Sequence, residues 1–343
     1  MQEQNKLSKT ARSDQIVRGA PVLCARMIFL VALLCLVSEP ALAWSPKSCT
    51  KTSWAAFVAC KKEARDDYWI ARGNCYNLSD PEARGECRED ALNEFREAEK
   101  ECKEQREARL EVCEDVGEAP YDPEIDPDDF VDPTTITNAN ANPYFPLVEG
   151  YNWVYEGETD EGTETITVTV TGDIKEIEYP PESGKIFQCA VVRDVVDLQG
   201  EVIEDTDDWY AQDDQGNVWY FGEIAQEFEE GELVGIEGSW KAGVDYAKPG
   251  IIMWADPEVG KVYRQEFALG EAEDMGQVIS LTASAAVPAA ACSGNCLQIE
   301  DYTPIEPDVL EHKYYSLGIG LILEVTPETG ERVELTTFTT PQN

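Results

Sequence analysis

Cysteine is the residue type whose spacing carries the clearest chemistry in this chain of 343 residues, because six of its eleven cysteines are placed symmetrically. Their successive separations are 11, 15, 12, 15 and 11 residues. Equal separations on two arms put each pair at the same height of an antiparallel hairpin. Six cysteines allow fifteen pairings, and this symmetry selects one of them. The predicted disulfides are Cys49–Cys113, Cys60–Cys102 and Cys75–Cys87.

Three further cysteines lie near the middle and the end of the chain. Cys292 and Cys296 have C-x₃-C spacing beside a run of small residues, and Cys189 lies in an apolar stretch. The preferred interpretation is a strand-to-strand bond, Cys189–Cys296, with a free thiol at Cys292; a local Cys292–Cys296 bond is the alternative. Because disulfides persist in oxidising compartments, the cysteines together indicate an exported protein.

Acid–base chemistry at a histidine could involve only His312, the single histidine of the chain. A Ser-His-Asp hydrolase needs one histidine as its base, so a hydrolase that uses His312 is one function to consider. No G-x-S-x-G motif accompanies it. A catalytic zinc site needs about three clustered ligands, which one histidine does not indicate. We therefore predict no catalytic residue and a protein that is not an enzyme.

Acidic residues dominate the charge: 68 acids against 27 bases give a formal net charge of −41 at pH 7. A charge of this sign disfavours nucleic acid and anionic membranes as partners. The densest acidic stretch is proline-rich, and its carboxylates are of the type that binds calcium, although EF-hand spacing is absent. The calcium candidates are Asp126, Asp128, Asp129 and Asp132. No other cofactor is predicted.

Two adjacent aromatic pairs give the best indication of a binding surface. Trp209-Tyr210 and Trp219-Tyr220 each lie in a predicted strand. Successive side chains of a strand point to opposite faces of its sheet. At least one member of each pair is therefore expected to be half-exposed or to line a groove.

Helices must position the six symmetric cysteines. Residues 47–77 and 81–114 are rich in Ala, Glu, Lys and Arg, a composition that favours helix. Either Ser79 with Glu82, or Asp80 before Pro81, marks the start of the second helix. Two helices alone bury little apolar area, so disulfides are needed to stabilise the hairpin. We expect this module to be a stiff spacer or a docking arm.

Composition divides the chain into five segments. The first is a signal peptide, because an apolar run at residues 27–37 follows basic residues and precedes an A-x-A site, with cleavage after Ala43. Translation starts at Met1 or Met27. No other apolar run is long enough for a membrane span in the mature chain. The segments are 1–43 (signal peptide), 44–118 (hairpin), 119–142 (acidic, proline-rich, solvated linker), 143–338 (β domain) and 339–343 (tail).

In the C-terminal domain, apolar and polar residues alternate with a period of two, which is typical of β-strands. Residues 165–171 alternate hydroxyl and apolar side chains, and further short strand patterns follow, separated by turn sequences. Long helical patterns are missing. The predicted fold class is α+β in two parts: a disulfide-stapled antiparallel helical hairpin, then a mostly antiparallel β domain that curls as a curved sheet, half-barrel or barrel.

The start of the β domain, Tyr144-Phe145-Pro146-Leu147-x-x-Gly150-x-x-Trp153-x-Tyr155, resembles a family of exported, largely uncharacterised bacterial proteins. The resemblance covers the β domain and excludes the hairpin. Through relatives of that family it implies the half-barrel of periplasmic lipoprotein carriers, with a concave apolar face for a hydrophobic ligand. It implies no catalytic residues. Its other motifs are Trp209-Tyr210, Pro257-x-x-Gly260-x-x-Tyr263 and Glu311-His312-Lys313-Tyr314-Tyr315-x-x-Gly318-x-Gly320.

Together these patterns predict an exported, non-catalytic binding or interaction protein of the bacterial cell envelope, in the periplasm or outside the cell. Its ligand is expected to be apolar, or its partner to be another protein. A calcium-dependent structural component of the surface is the alternative, and the hydrolase that uses His312 is the second alternative. The sequence leaves the oligomeric state open.

Overall fold

The helical hairpin opens the part of the chain that the structure describes, which in this computed structural model is residues 47–159 and 161–341. Helix α1 spans Ser48–Tyr76 and helix α2 spans Pro81–Val116. Asp80 caps α2, because its carboxylate accepts a hydrogen bond from the Ala83 amide and Pro81 takes the first helical position. The signal-peptide prediction lies outside the described residues.

Three disulfides join the two helices, and they are the three that the symmetric spacing predicts. The bonds Cys49–Cys113, Cys60–Cys102 and Cys75–Cys87 have Cα–Cα distances between 5.6 and 5.8 Å. The helices bury mainly small residues against each other, including Ala56, Ala64 and Ala91. Small side chains let the helices approach closely but remove little apolar area from water, so the covalent bonds supply much of the stability.

Fifteen strands follow within the described residues. They are β1 (Asn152–Thr159), β2 (Gly162–Glu178), β3 (Ile186–Leu198), β4 (Glu201–Gln212), β5 (Val218–Glu229), β6 (Glu232–Gly235), β7 (Trp240–Lys241), β8 (Lys248–Met253), β9 (Val262–Arg264), β10 (Glu266–Phe267), β11 (Met275–Ala286), β12 (Ala291–Tyr302), β13 (Leu310–Ser316), β14 (Gly320–Val325) and β15 (Arg332–Thr339).

These strands form one antiparallel sheet that is nearly closed into a barrel. Its order is β10-β8-β5-β4-β3-β2-β1-β15-β14-β13-β12-β11-β9, with β6 and β7 paired to β5. The two ends of this order, β9 and β10, are consecutive in the chain, and β9 pairs with β11 while β10 pairs with β8. At that corner Gly250 is required, because a Cβ there would lie 2.3 Å from the Gln265 carbonyl oxygen. The predicted fold class, α+β in two parts, is therefore confirmed.

Strand alternation decides which side chains face the interior. On β2 the apolar residues Ile166, Val168 and Val170 point inward, and the threonines between them point outward, as the period of two predicts. The best-buried large side chains include Phe187, Phe221 and Met253.

The segment between hairpin and sheet is more buried than the predicted solvated linker. Short 3₁₀ turns at Pro127–Asp129 and Pro133–Thr135 interrupt it. The Phe130 ring meets Phe187 edge-on at a centroid distance of 5.1 Å, and Ile136 is only 6% exposed. Most carboxylates of this segment are exposed, as expected of a solvated linker, but the sequence interpretation missed the apolar residues between them, which pack on the sheet.

The preferred bond Cys189–Cys296 is also wrong. The structure joins Cys292 to Cys296, and Cys189 is a buried free thiol in β3. In an extended strand, residues four apart lie about 13 Å from each other, but here the Cα atoms are 5.4 Å apart. The register of β11 and β12 shifts at this point and Gly294 has φ +71°, so the chain folds back locally. The sequence alternative was therefore correct.

Among residues 47–159 and 161–341, no helix is both long and apolar enough to cross a bilayer. The four disulfides of these residues fit an exported protein.

Candidate functional site

The nearly closed sheet encloses a cavity of about 270 Å³. Its wall combines aromatic and aliphatic side chains with a small number of charged groups, the usual composition of a small-molecule site. The lining comes from most strands of the sheet and from the segment before β1. The residues are Tyr144, Phe145, Pro146, Leu147, Trp153, Tyr155, Ile166, Val168, Val170, Val192, Asp194, Asp208, Tyr210, Ile252, Asp301, Lys313, Tyr315, Gly320, Leu321, Glu324 and Val333.

One side of the cavity is closed by the segment Tyr144-Phe145-Pro146-Leu147. Asn142, which is 1% exposed, holds this segment: its side-chain oxygen accepts hydrogen bonds from the amides of Tyr144 and Phe145. Its side-chain nitrogen donates to the Gly216 carbonyl oxygen at 2.8 Å. The Phe145 ring then meets Tyr210 edge-on at 5.0 Å. The segment is therefore a positioned wall and not a loose loop.

Two buried polar groups of the aromatic wall are satisfied by backbone. The Trp153 indole nitrogen donates to the Ile319 carbonyl oxygen at 2.7 Å, and the Tyr155 hydroxyl donates to the Leu321 carbonyl oxygen at 3.0 Å. Because these bonds fix both rings against β14, their apolar parts remain available to a ligand.

Acidic and basic side chains are unevenly distributed over the cavity wall. On neighbouring strands β3 and β4, Asp194 and Asp208 both face the cavity. Asp208 accepts a hydrogen bond from the Tyr220 hydroxyl at 2.6 Å, whereas Asp194 Oδ1 is shielded from solvent and accepts none from the described residues. Burial raises the pKa of Asp194 to about 8, and neighbouring carboxylates add to this shift. Burial raises the pKa of Asp208 to about 6, although the Tyr220 hydroxyl opposes the shift.

A second cluster of charged side chains lies on strands β12, β13 and β14. The Lys313 ammonium is 3.0 Å from Asp301, 3.3 Å from Glu311 and 3.7 Å from Glu324. Burial raises the pKa of Glu324 to about 7, against the lowering effect of Lys313. Of the described residues that line the cavity, Lys313 is the only basic one, and its charge is already shared by three carboxylates.

More acids lie deeper in the sheet, beyond the cavity wall. Burial, together with the charge of Asp208, raises the pKa of Glu223 to about 8. Burial raises the pKa of Glu266 and of Asp274 as well. The interior is therefore acidic around the cavity, which disfavours an anionic ligand.

The four aromatic residues that the sequence singled out lie on two faces. Tyr210 lines the cavity, and Tyr220 stacks behind it at a centroid distance of 4.6 Å. Trp209 is buried on the opposite face of β4, where the Lys175 ammonium lies 4.4 Å from its ring centroid. Trp219 is partly exposed and its indole donates to Asp213. The four do not form one surface, and only Tyr210 among them belongs to the cavity wall.

His312 and the calcium candidates lie away from the cavity. His312 precedes Lys313 on β13, so it points to the other face, where its Nε2 is 3.1 Å from Glu300. Asp126 caps a 3₁₀ turn and pairs with Lys185 at 2.9 Å, while Asp132 caps the next turn through Thr134. In the part of the chain that the structure describes, no three Asp, Glu, His or Cys side chains lie close enough to share a metal ion.

Sequence reasoning missed the charged residues of the cavity. Asp194 follows the inward-facing Val192 by two positions, and Asp208 precedes Tyr210 by two. A carboxylate at an inward position of an alternating strand is a usable signal, because charges are rarely buried without a reason. The large number of acids in the chain concealed it.

Comparison of the chain with protein-family models gave no match, and comparison with curated proteins and with solved structures gave none either. The geometry of the cavity therefore carries the functional argument.

Proposed function

We propose that this chain is an exported, non-catalytic binding protein of the bacterial cell envelope, released by cleavage after Ala43, and that its barrel-shaped sheet holds a small ligand. The cavity of about 270 Å³ is the observation that carries this proposal. Clefts of a few hundred Å³ with mainly apolar walls are the common form of small-molecule sites.

The way the wall is held supports binding. Asn142 fixes the Tyr144–Leu147 segment, and backbone carbonyls fix Trp153 and Tyr155. A preorganised wall costs a ligand little ordering entropy. In the same arrangement, the rings of Trp153 and Tyr155 are available to contact an apolar part of the ligand.

Ligand-observed NMR with 2-phenylethanol, a small neutral aromatic probe, tests whether the cavity is occupied. Binding to the mature protein is expected, and Val168→Trp is expected to abolish it by filling the cavity from β2. Thr167→Trp is the matched control, since Thr167 lies beside Val168 on the opposite face of the same strand. That control should bind the probe as the native protein does.

Leu321→Trp, on the facing strand β14, is the second blocking variant in case Val168→Trp does not fold. Circular dichroism of each variant establishes that the sheet is intact. If folded blocking variants bind the probe as well as the native protein does, or if the native protein binds neither this probe nor the ammonium and carboxylate analogues of it, the proposal is wrong. Native mass spectrometry of the mature protein from its own host would then identify a co-purified ligand by mass.

A further inference from the structure

We infer that the cavity binds an organic cation, a small molecule in which an ammonium group is joined to an aromatic or aliphatic body. This inference rests on the proposed binding function and adds the charge class of the ligand.

Charge balance within the cavity is the first step. Lys313 is within 4 Å of three carboxylates, so it is fully engaged on its own wall. Asp194 and Asp208, on β3 and β4, have no basic partner among the ion pairs of the described residues. The β3–β4 wall therefore carries two acidic groups without a basic partner, and a cation bound beside them would favour their ionised forms.

Asp194 supplies the second step. Asp194 lines the cavity, and its Oδ1, which solvent does not reach, accepts no hydrogen bond from the described residues. A buried acceptor without a donor costs free energy, and native proteins leave few of them. An ammonium bound beside Asp194 would favour loss of the Asp194 proton, and the resulting hydrogen bond between two charged groups is stronger than a neutral one.

Aromatic rings beside the carboxylates form the third step. Tyr210 follows Asp208 by two positions on the same face of β4, and Tyr155 and Trp153 face the cavity from β1. Ring faces attract ammonium groups, particularly where water is excluded. The same rings would cover the apolar body of the ligand, so one wall recognises both parts of the molecule.

An ammonium fits this arrangement better than a metal ion does. Calcium requires six to eight oxygen ligands, whereas the β3–β4 wall offers, among the described residues, only the carboxylates of Asp194 and Asp208, and the three carboxylates that meet at Lys313 already surround its ammonium group. An organic cation needs one or two carboxylates and a ring. The net charge of −41 also raises the local concentration of cations around the protein.

Isothermal titration calorimetry with three probes of one shape but different charge tests the inference. The probes are 2-phenylethylammonium, 2-phenylethanol and 3-phenylpropionate. We expect the cation to bind about tenfold or more tightly than the alcohol, and the anion to give no measurable binding. Asp194→Asn should reduce the affinity for the cation by about tenfold and should weaken binding of the alcohol much less.

Asp207→Asn is the matched control, because it removes the same charge from the opposite face of β4 and should leave all three affinities unchanged. Asp208→Asn is the second test variant and should weaken binding of the cation more than binding of the alcohol. If the alcohol binds as tightly as the cation, or the anion binds best, the inference is wrong although the cavity still binds ligands. If none of the three probes binds, the proposed function fails with it.

Calcium chloride at the ionic strength of a sodium chloride control completes the experiment. Unchanged binding of 2-phenylethylammonium under calcium supports the organic cation. If calcium displaces the probe and itself raises the melting temperature of the native protein but not of Asp194→Asn, the occupant is an inorganic ion, and the inference is overturned.

Discussion

Arg109 of α2 holds Glu273, in the segment before β11, by a two-pronged ion pair. Its Nε donates to Glu273 Oε2 at 2.9 Å and its Nη2 donates to Oε1 at 2.7 Å. Both residues are almost fully buried, at 6% and 2% exposure, and the Gly270 amide also donates to Oε1. A bidentate pair of this kind fixes orientation as well as distance. The hairpin is therefore docked on the sheet by a specific charged contact.

Arg109→Met is expected to destabilise the protein by about 3–5 kcal/mol, because it leaves the Glu273 carboxylate buried without its partner. Chemical denaturation measures this free energy of unfolding. The double variant Arg109→Met/Glu273→Gln removes both charges and keeps an acceptor for Gly270, so most of the loss should be recovered. Lys100→Met, which breaks an exposed pair with Glu104 on the same helix, is the control and should change little. If Lys100→Met and Arg109→Met lowered the free energy of unfolding equally, the Arg109–Glu273 pair would not be the contact that docks the hairpin on the sheet.

Asp194 should contribute strongly to the pH dependence of stability. Burial raises its pKa to about 8 from an ordinary 3.8. The folded state therefore keeps a proton that the unfolded state releases, so the contribution of Asp194 to the free energy of unfolding is fully present below about pH 4 and is lost as the pH rises to about 8. The charged groups that act on it from the surrounding strands are Asp208, Glu204, Glu324 and Glu164.

Asp194→Asn should remove this decrease in the free energy of unfolding at high pH. We expect the variant to be more stable than the native protein by roughly 2 kcal/mol at about pH 9, and equal to it at about pH 4. Urea unfolding at a series of pH values measures the difference. Asp207→Asn serves again as the control from the opposite face of β4. A stability difference that does not grow with pH would show that Asp194 is ionised in the folded state.

Lys313→Met should be destabilising in a pH-dependent way. At about pH 8 it leaves the carboxylates of Asp301 and Glu324 facing each other without a cation, and we expect a loss of about 2–3 kcal/mol. The pKa of Glu324 is about 7 with Lys313 present and would rise further without it. Protonation of Glu324 on acidification should therefore shrink the loss towards pH 5. Thermal unfolding at both pH values checks this, and a pH-independent loss would contradict it.

The hairpin and the strand pattern could be predicted because both depend on local spacing. Three cysteine pairs at equal heights leave one geometry, and the alternation of residues 165–171 assigns Ile166, Val168 and Val170 to one face. Closure of the sheet was not predictable in the same way. It depends on the chain around Gln265, which divides into two short strands, β9 paired with β11 and β10 paired with β8, and a strand pattern in the sequence does not reveal this division.

The cavity was harder still to predict, because it depends on contacts that are remote in sequence. Asn142 holds its wall through partners more than seventy residues away, including Gly216 and Trp254. Asp194 and Glu324 belong to strands that only the closed sheet brings to one interior. A sequence with 68 acids gives no sign of which few are buried. The signal that could have identified the buried acids is their position on the inward face of an alternating strand.

The central disulfide of the hairpin should stabilise the helices and not the sheet. The bond Cys60–Cys102 closes a separation of 42 residues, and its removal by Cys60→Ser/Cys102→Ser should cost about 2–4 kcal/mol. Since α1 and α2 bury mainly small residues against each other, the loss should appear as faster amide hydrogen exchange in Ser48–Val116, with β1–β5 unchanged. Cys292→Ser/Cys296→Ser is the control: it opens a separation of four residues and should affect only β11 and β12, by a smaller amount. Faster exchange in the sheet of the Cys60→Ser/Cys102→Ser variant would instead mean that hairpin and sheet unfold as one unit, coupled through Arg109 and Glu273.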